Sequence, residues 1–276
     1  MTTDEVPPGT GLDQDGCFVR EGSLERVPAA FAPVVAGLTA ALEARFPPGR
    51  VRSTYLYGSI PRGTAVPGVS DLDALLVLRD GPTAADRAAA RAAEAALDAA
   101  FPQIDGAGIL LMTADRLLSE AERYDGAWFV ACLCTPLSGP DVTAALPRYR
   151  PTSLLARETN GDLHRRLPAL RRRAAEATGA ERVRLTRGVS RTLVRTGFTL
   201  VMPRWGGWTS DLAASAEVFA RYYPAHADPM RAAARAARDP AGYPALLDEL
   251  LDGLAPWLAG EYLAVHGAKA PRPEDP

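Results

Sequence analysis

The apolar residues of this chain change their spacing near residue 150, and that change limits the folds it can adopt. Up to about residue 140, short apolar runs alternate with segments of helical periodicity, which is typical of an α/β layer. Beyond residue 150, apolar residues recur at helical spacing between prolines and glycines, as expected for a helical bundle. We therefore predict an α/β (α+β) N-terminal domain with a mixed sheet, residues 1–145, and an all-α C-terminal helical bundle domain, residues 146–276.

Three strands and two long helices are predicted in the first domain. The alanine-rich helix has proline at its start, which favours helix initiation. The predicted strands are Val51–Tyr57, Leu72–Leu78 and residues 106–113, and the predicted helices are residues 29–45 and 82–101. Asp115 follows the third strand and is expected to cap a short helix.

Composition excludes several classes of protein. The chain has 276 residues, 47% of them hydrophobic, and a net charge of −2, which describes a globular protein and argues against a general nucleic-acid coat protein. The acidic, proline-rich start does not resemble a signal peptide, and no apolar stretch reaches the length of a membrane span, so we expect a cytoplasmic protein without membrane contact.

Cys132 and Cys134 lie in an apolar run and are expected to be buried rather than metal-binding. Residues 1–10 and the tail from Lys269 are expected to be loose.

The segment between the first two strands carries candidate chemistry: it reads LYGSIPRGTAVPGVSDLDALLVL. Because side chains alternate along a strand, Asp71 and Asp73 should share one face, about 7 Å apart. Paired carboxylates of this kind suit Mg²⁺, which completes its shell with water and substrate phosphates. Gly58 lets a backbone approach a phosphate closely, and Ser59 can donate a hydrogen bond to it. The alternative is a turn and an aspartate-capped strand without chemistry.

This motif resembles the signature of the nucleotidyltransferases of the DNA polymerase β type: hydrophobic-Gly-Ser, a spacer, then Asp-hydrophobic-Asp-hydrophobic. The resemblance implies that Asp71 and Asp73 hold two Mg²⁺ ions against a nucleoside triphosphate, ATP or another, and that pyrophosphate leaves. It assigns nucleotide binding to Gly58, Ser59 and Ser70. The family also has a third carboxylate on a neighbouring strand, as second-metal ligand or base, for which Asp105 is the candidate here. A turn-forming role for Asp105 is the rival interpretation.

Arginines recur at helical spacing in the second half, at positions 184, 187, 191 and 195; we call these four residues the arginine stripe. The stripe could meet a triphosphate or simply be a solvated face. This region resembles the helical domain of the aminoglycoside (streptomycin and spectinomycin) adenylyltransferases, on the pairs Ser190-Arg191 and Ser210-Asp211. The resemblance implies that Arg191 contacts the ATP phosphates. That family has lysine where this chain has Ser210, so one phosphate-binding cation is either missing or supplied by Arg187 or Arg204.

The sequence therefore predicts an enzyme that transfers a nucleoside monophosphate, AMP from ATP by the resemblance, to a hydroxyl of a small molecule such as an aminoglycoside. An antibiotic-resistance role would follow from that acceptor. Two alternatives stay open. One is a toxin-like nucleotidyltransferase acting on tRNA or protein, supported by the basic segment HRRLPALRRR. The other is a nucleotide-binding protein of the same fold without catalysis.

Overall fold

The computed structural model of the chain describes residues 6–243 and 245–272 and shows a mixed α/β protein with one four-stranded mixed sheet. The described residues divide into two units. One is Val19–Arg148, which contains the sheet. The other combines the residues from Tyr149 onward with the N-terminal residues up to Phe18, and all of its regular elements are helical. Sequence patterns had not predicted that the N-terminal residues would join the helical unit.

Four strands form the sheet of the first unit, in the order β3-β2-β1-β4. β1 is antiparallel to both of its neighbours, whereas β2 and β3 are parallel. The strands are β1 (Val51–Tyr57), β2 (Leu72–Leu78), β3 (Ala107–Thr113) and β4 (Thr135–Ser138). The predictions for β1 and β2 are confirmed at their bounds, and β3 begins one residue later than predicted. β4 was not predicted.

Five helices belong to this unit: α1 (Ala32–Arg45), α2 (Ser59–Arg62), α3 (Ala84–Ala100), α4 (Ala114–Leu117) and α5 (Gly126–Leu133). α3 begins at a capping box, in which Thr83 and Asp86 each accept a hydrogen bond from the other's backbone N–H. The prediction that Asp115 caps α4 is wrong. Thr113 is the cap, since its hydroxyl accepts the backbone N–H of Arg116 at 3.2 Å. Asp115 lies in the first turn instead.

The sheet has an apolar core on each face. Side chains alternate along β2, so Leu72, Leu76 and their even-numbered neighbours pack against α1 and α3. Leu75 and Val77 point to the opposite face and pack with residues of α4 and α5. β2 is therefore buried on both sides, which explains why it is an almost continuous apolar run.

The helical unit contains α6 (Ser153–Asn160), α7 (Leu163–Glu176), α8 (Gly179–Trp205), α9 (Leu212–Tyr222), α10 (Ala227–Ala236), α11 (Leu246–Glu249) and α12 (Ala255–His266), with a π-helical turn at Leu250–Leu254. α8 is the longest and buries about half of its residues. It ends at Trp205, and its C-cap Gly206 has a φ of +72°, the left-handed conformation that favours glycine. Among the described helices, none combines the length and apolar character that a membrane span needs.

The chain ends are not loose where the structure describes them. The Gly9 N–H donates to the Gly206 carbonyl at 2.8 Å, and the Lys269 N–H donates to the Gly161 carbonyl at 3.0 Å. Arg272 forms an ion pair with the buried Glu158 at 3.1 Å. The expectation of loose ends is therefore wrong for residues 6–10 and 269–272. Residues 1–5 and 273–276 lie outside the described part of the chain.

Candidate functional site

The residues of the Gly-Ser and Asp-Leu-Asp motif lie along one edge of the sheet, where its strands begin or end. β1 ends there, and β2, β3 and β4 begin there, because β1 is antiparallel to β2 and β4 and β2 is parallel to β3. In register across this edge, Asp73 lies between Tyr57 on β1 and Gly108 on β3. Asp73 is half-buried and lies on the sheet face of Leu75 and Val77.

The Asp73 carboxylate rests against the backbone of Gly58. Gly58 has φ +81° and ψ −156°, a conformation that is essentially restricted to glycine. A Cβ atom at this position would lie 2.5 Å from Oδ2 of Asp73, which is too close for any real contact. Glycine is therefore required twice, by the backbone conformation and by the neighbouring carboxylate. The sequence predicted that Gly58 lets a phosphate approach the backbone closely; the structure shows the Asp73 carboxylate close to it, and the phosphate contact stays a prediction.

Asp71 and Ser70 lie on the segment that leads into β2. Ser70 accepts the Val66 N–H through its side-chain oxygen at 2.9 Å, and its own N–H donates to the Val66 carbonyl at 3.0 Å. These bonds close the loop that precedes the two aspartates. Asp71 immediately precedes β2 and is half-buried. Its assignment to the face of Asp73 follows from strand alternation and stays a prediction.

Asp105 lies beside this loop, before β3 begins. Its N–H donates to the Ser70 carbonyl at 3.1 Å, and its side chain is exposed. The residue of β3 in register with Asp73 is Gly108, where a Cβ atom would lie 3.8 Å from the carboxylate. Among the described residues, no three acidic, histidine or cysteine side chains gather into a metal-binding group. The assignment of Asp105 as third carboxylate stays a prediction.

Ser59 begins α2, the single turn that follows Gly58. Ile60 and Pro61 of this turn are buried, and the Pro61 carbonyl accepts the N–H of Ser23 at 3.0 Å. Arg62 lies 3.5 Å from a carboxylate oxygen of Glu21. The segment around residues 21–23 therefore holds the turn that carries Ser59 in place. The sequence contains no signal that would have linked this segment to the motif.

A buried polar network on the Asp73 face was also missed. Tyr55 donates its hydroxyl hydrogen to Asp141 at 3.0 Å and accepts the Val142 N–H at 2.8 Å. Arg20 contacts the same carboxylate at 2.8 Å. Burial acts to raise the pKa of Asp141, but hydrogen bonds from Thr143 and Arg20 outweigh it and lower that pKa. The aspartate is therefore held ionised in a partly buried position.

Cys134 is the C-cap of α5 and immediately precedes β4, next to this network. Burial raises the pKa of its thiol; Arg20 acts to lower that pKa, and the negative charge of Asp73 acts to raise it. The result is a thiol that stays protonated. Both Cys132 and Cys134 are buried, which confirms their interpretation as small core residues. The sulfur is thus a packing group at this edge rather than a nucleophile.

The arginine stripe lies on α8 of the helical unit. Arg187 and Arg191 are half-buried, whereas Arg184 and Arg195 are exposed. Ser190 is fully buried. The stripe residues thus occupy consecutive turns on one side of α8, as their spacing predicts. Their contact with a nucleotide stays a prediction.

The aromatic residues at the end of α8 pack within the helical unit. Trp205 is buried, and its ring meets that of Phe198 edge to face, with centroids 5.7 Å apart. Trp208 packs edge to face on Phe18 and on Phe198. Both tryptophans therefore pack against the end of α8.

The donor set at the sheet edge suits a hard cation. Asp71 and Asp73 offer carboxylate oxygens only, and Mg²⁺ is typically held by one or two carboxylates together with water and substrate phosphates. Neither carboxylate is fully buried, so both are accessible to a cation from solvent. The residues present therefore fit Mg²⁺ that shares its coordination with a nucleotide. No protein-family model matches the chain, and no curated protein matches it.

Proposed function

We propose that the protein is a nucleotidyltransferase that moves a nucleoside monophosphate, AMP from ATP, to a hydroxyl of a small molecule and releases pyrophosphate. One observation carries the proposal: the Asp73 carboxylate lies against the Gly58 backbone at the edge where β1 ends and β2 begins. A glycine turn of this kind exposes backbone N–H groups close to a carboxylate. That combination can bind a metal-bound phosphate chain on one side and its metal ion on the other.

Each candidate residue has a role in this proposal. Asp71 and Asp73 hold Mg²⁺, which when bound supplies positive charge that offsets the charge of the triphosphate and of the departing pyrophosphate. Ser59 and the N–H groups that follow Gly58 donate hydrogen bonds to phosphate oxygens. Ser70 fixes the loop that carries Asp71 through its two bonds to Val66. Positioning and charge neutralisation, without a covalent enzyme intermediate, then account for catalysis.

Two further assignments complete the proposed site. Arg191 and Arg187 of α8 bind phosphate oxygens, for which the guanidinium fork is well shaped. Asp105 accepts the proton of the acceptor hydroxyl or completes a metal site. Its side chain is exposed, and its backbone N–H donates to the carbonyl of Ser70, the residue before Asp71. If Asp105 is the base, Asp105→Ala should lower turnover by about a hundredfold while nucleotide binding persists.

A second candidate function, nucleotide binding without transfer, is favoured by one observation. The β3 position in register with Asp73 is Gly108, so the strand itself presents no third carboxylate beside the first two. A protein of this kind would bind a metal-bound nucleotide and release it unchanged. Pyrophosphate release separates the two candidates, because a transferase releases pyrophosphate on transfer whereas a nucleotide sensor binds the nucleotide and releases none.

The test of the proposed function is a transfer assay on the full chain. The protein is incubated with Mg²⁺ and each of the four ribonucleoside triphosphates, together with an aminoglycoside panel or total tRNA. Mass spectrometry then reports the addition of one nucleotide, and a coupled assay reports pyrophosphate. We expect transfer to a small molecule that is lost in Asp73→Asn and retained in Asp115→Asn, a matched change at an exposed aspartate of the same unit. Transfer to tRNA alone, or none with any triphosphate, would contradict the proposal.

A further inference from the structure

A second candidate ligand site lies wholly within the helical unit, in a groove between α7 and α8. Its volume is about 500 Å³, within the range of small-molecule sites. α7 contributes three of its lining residues and α8 the other six. The lining residues are Arg166, Leu170, Arg173, Glu181, Arg184, Leu185, Gly188, Val189 and Thr192.

Positive charge dominates the rim of this groove. Arg166, Arg173 and Arg184 face one carboxylate, that of Glu181, which leaves an excess of two positive charges. Arg166 has a long contact to Asp162, at 3.8 Å. Within the part of the chain that the structure describes, no carboxylate lies within 4.0 Å of Arg173 or Arg184. An excess of positive charge along one groove raises the local concentration of anions.

Other arginines of the same two helices have structural partners, which sets the groove apart. Arg171 donates to the Leu251 carbonyl at 2.8 Å, and Arg182 forms an ion pair with Asp248. Those two residues hold the segment around α11 and the π-helical turn. Arg173 and Arg184 make no corresponding contact among the described residues. Packing of the helical unit therefore does not account for their position on the groove.

The floor of the groove is apolar. Leu185 and Val189 are buried, and Leu170 is half-buried beside them. Gly188 leaves open space, because a Cβ atom there would have no neighbour within 4 Å. The Thr192 hydroxyl adds a hydrogen-bonding group at one end. An apolar floor below a cationic rim fits a ligand with a compact apolar body and an anionic group.

This groove is distinct from the position assigned to the nucleotide phosphates. Among the described residues that line it, Arg184 is the single member of the arginine stripe. Helical geometry separates most of the groove from Arg191: at 100° a residue, Gly188 and Thr192 lie about 60–100° around α8 from Arg191, whereas Arg184 lies within about 20° of it but two turns earlier. The groove can therefore bind a ligand independently of Arg191.

We propose that the α7–α8 groove binds a small phosphomonoester with an apolar body. Arginine pairs with phosphate through two parallel hydrogen bonds, and three guanidinium groups around one cavity match its several oxygens. The lining contains no aromatic ring on which a nucleobase could stack, which disfavours single-stranded RNA. A polycation such as an aminoglycoside is repelled by the same charges.

The test is calorimetric titration of the full chain with phenyl phosphate, with phenol and with a single-stranded RNA oligonucleotide. We expect phenyl phosphate to bind and phenol not to bind. Arg173→Ala and Arg184→Ala should each weaken phenyl phosphate binding by about tenfold or more. Arg172→Ala, an exposed neighbour that does not line the groove, is the matched control and should leave the affinity unchanged.

Three results would overturn the proposal. They are absence of phenyl phosphate binding, equal affinity in wild type and in the Arg173→Ala/Arg184→Ala double variant, or RNA binding that competes with phenyl phosphate at far lower concentration. Circular dichroism of each variant shows whether the helices are intact. This test does not involve Asp71 or Asp73, so its result for the groove does not depend on whether the proposed transfer activity is found.

Discussion

Gly58→Ala tests whether the contact between the glycine turn and Asp73 is as tight as the structure shows. An alanine at φ +81° and ψ −156° costs about 1–3 kcal/mol in backbone strain. Its Cβ would also lie 2.5 Å from Oδ2 of Asp73, so the carboxylate must turn aside, which costs about 0.5–1.5 kcal/mol for a displaced rotamer. We therefore expect Gly58→Ala to lower the free energy of unfolding by about 1.5–4.5 kcal/mol.

A double-mutant cycle separates the two contributions. In an Asp73→Ala background the carboxylate is absent, so Gly58→Ala should cost about 0.5–1.5 kcal/mol less than it does in wild type. Gly68→Ala is the matched control, because Gly68 has φ +73° in the same loop region but no neighbour within 4 Å of a Cβ atom. It should cost about the same in both backgrounds.

Denaturant unfolding gives the free energies, and hydrogen exchange of the β1 and β2 amides shows which unit is affected. Equal costs of Gly58→Ala in the two backgrounds would refute the contact. The contact would also be refuted if Asp73→Ala changed the cost of Gly68→Ala more than it changed the cost of Gly58→Ala.

Three further outcomes follow from the contacts. Asp86 is buried and accepts hydrogen bonds from Arg50 at 2.7 and 2.9 Å, and the guanidinium lowers the pKa of that carboxyl in the folded state. The stability that ionised Asp86 contributes is therefore present above the ordinary pKa of aspartate and is lost as pH falls. Acid titration should lower the free energy of unfolding of wild type more than that of Asp86→Asn. Parallel curves for the two proteins would contradict this. Tyr55→Phe removes the acceptor of the Val142 N–H and should lower the free energy of unfolding by about 1–3 kcal/mol, as measured by denaturant, whereas a change below about 0.5 kcal/mol would argue against the buried network. Arg191→Ala should weaken Mg²⁺–ATP binding by about tenfold to a hundredfold in calorimetry, with partial recovery in Arg191→Lys, and an unchanged affinity would leave the stripe a solvated face.

The sequence was a good guide to elements with a strong local pattern. β2 is an almost continuous apolar run, β1 is a β-branched and aromatic segment that ends at Gly58, and α3 carries a proline and a capping box at its start. β4 was missed because Thr135–Ser138 is short, partly polar and contains Pro136, so its local preference for a strand is weak. Its backbone pairing with β1 supplies what the local sequence lacks.

The candidate site was predictable as a motif but not as a geometry. The spacing of Gly58 and the two aspartates indicated a phosphate and a metal ion, whereas the close approach of Asp73 to Gly58 depends on the pairing of β1 with β2. The register between β2 and β3 could not be predicted from the sequence either. α3 lies between these strands in the chain, and its length does not determine which residues of the two strands pair. That register is what brings Gly108, rather than Asp105, beside Asp73.

Metal binding in the presence of nucleotide tests the central claim most directly, because it requires neither an acceptor nor turnover. Mn²⁺ replaces Mg²⁺, a non-hydrolysable ATP analogue occupies the nucleotide site, and electron paramagnetic resonance reports the fraction of Mn²⁺ that is bound. We predict nucleotide-dependent Mn²⁺ binding in wild type and in Asp115→Asn, and its loss in Asp71→Asn and Asp73→Asn with folding intact. Equal Mn²⁺ binding by wild type and Asp73→Asn would contradict the assignment of this sheet edge as a metal–nucleotide site.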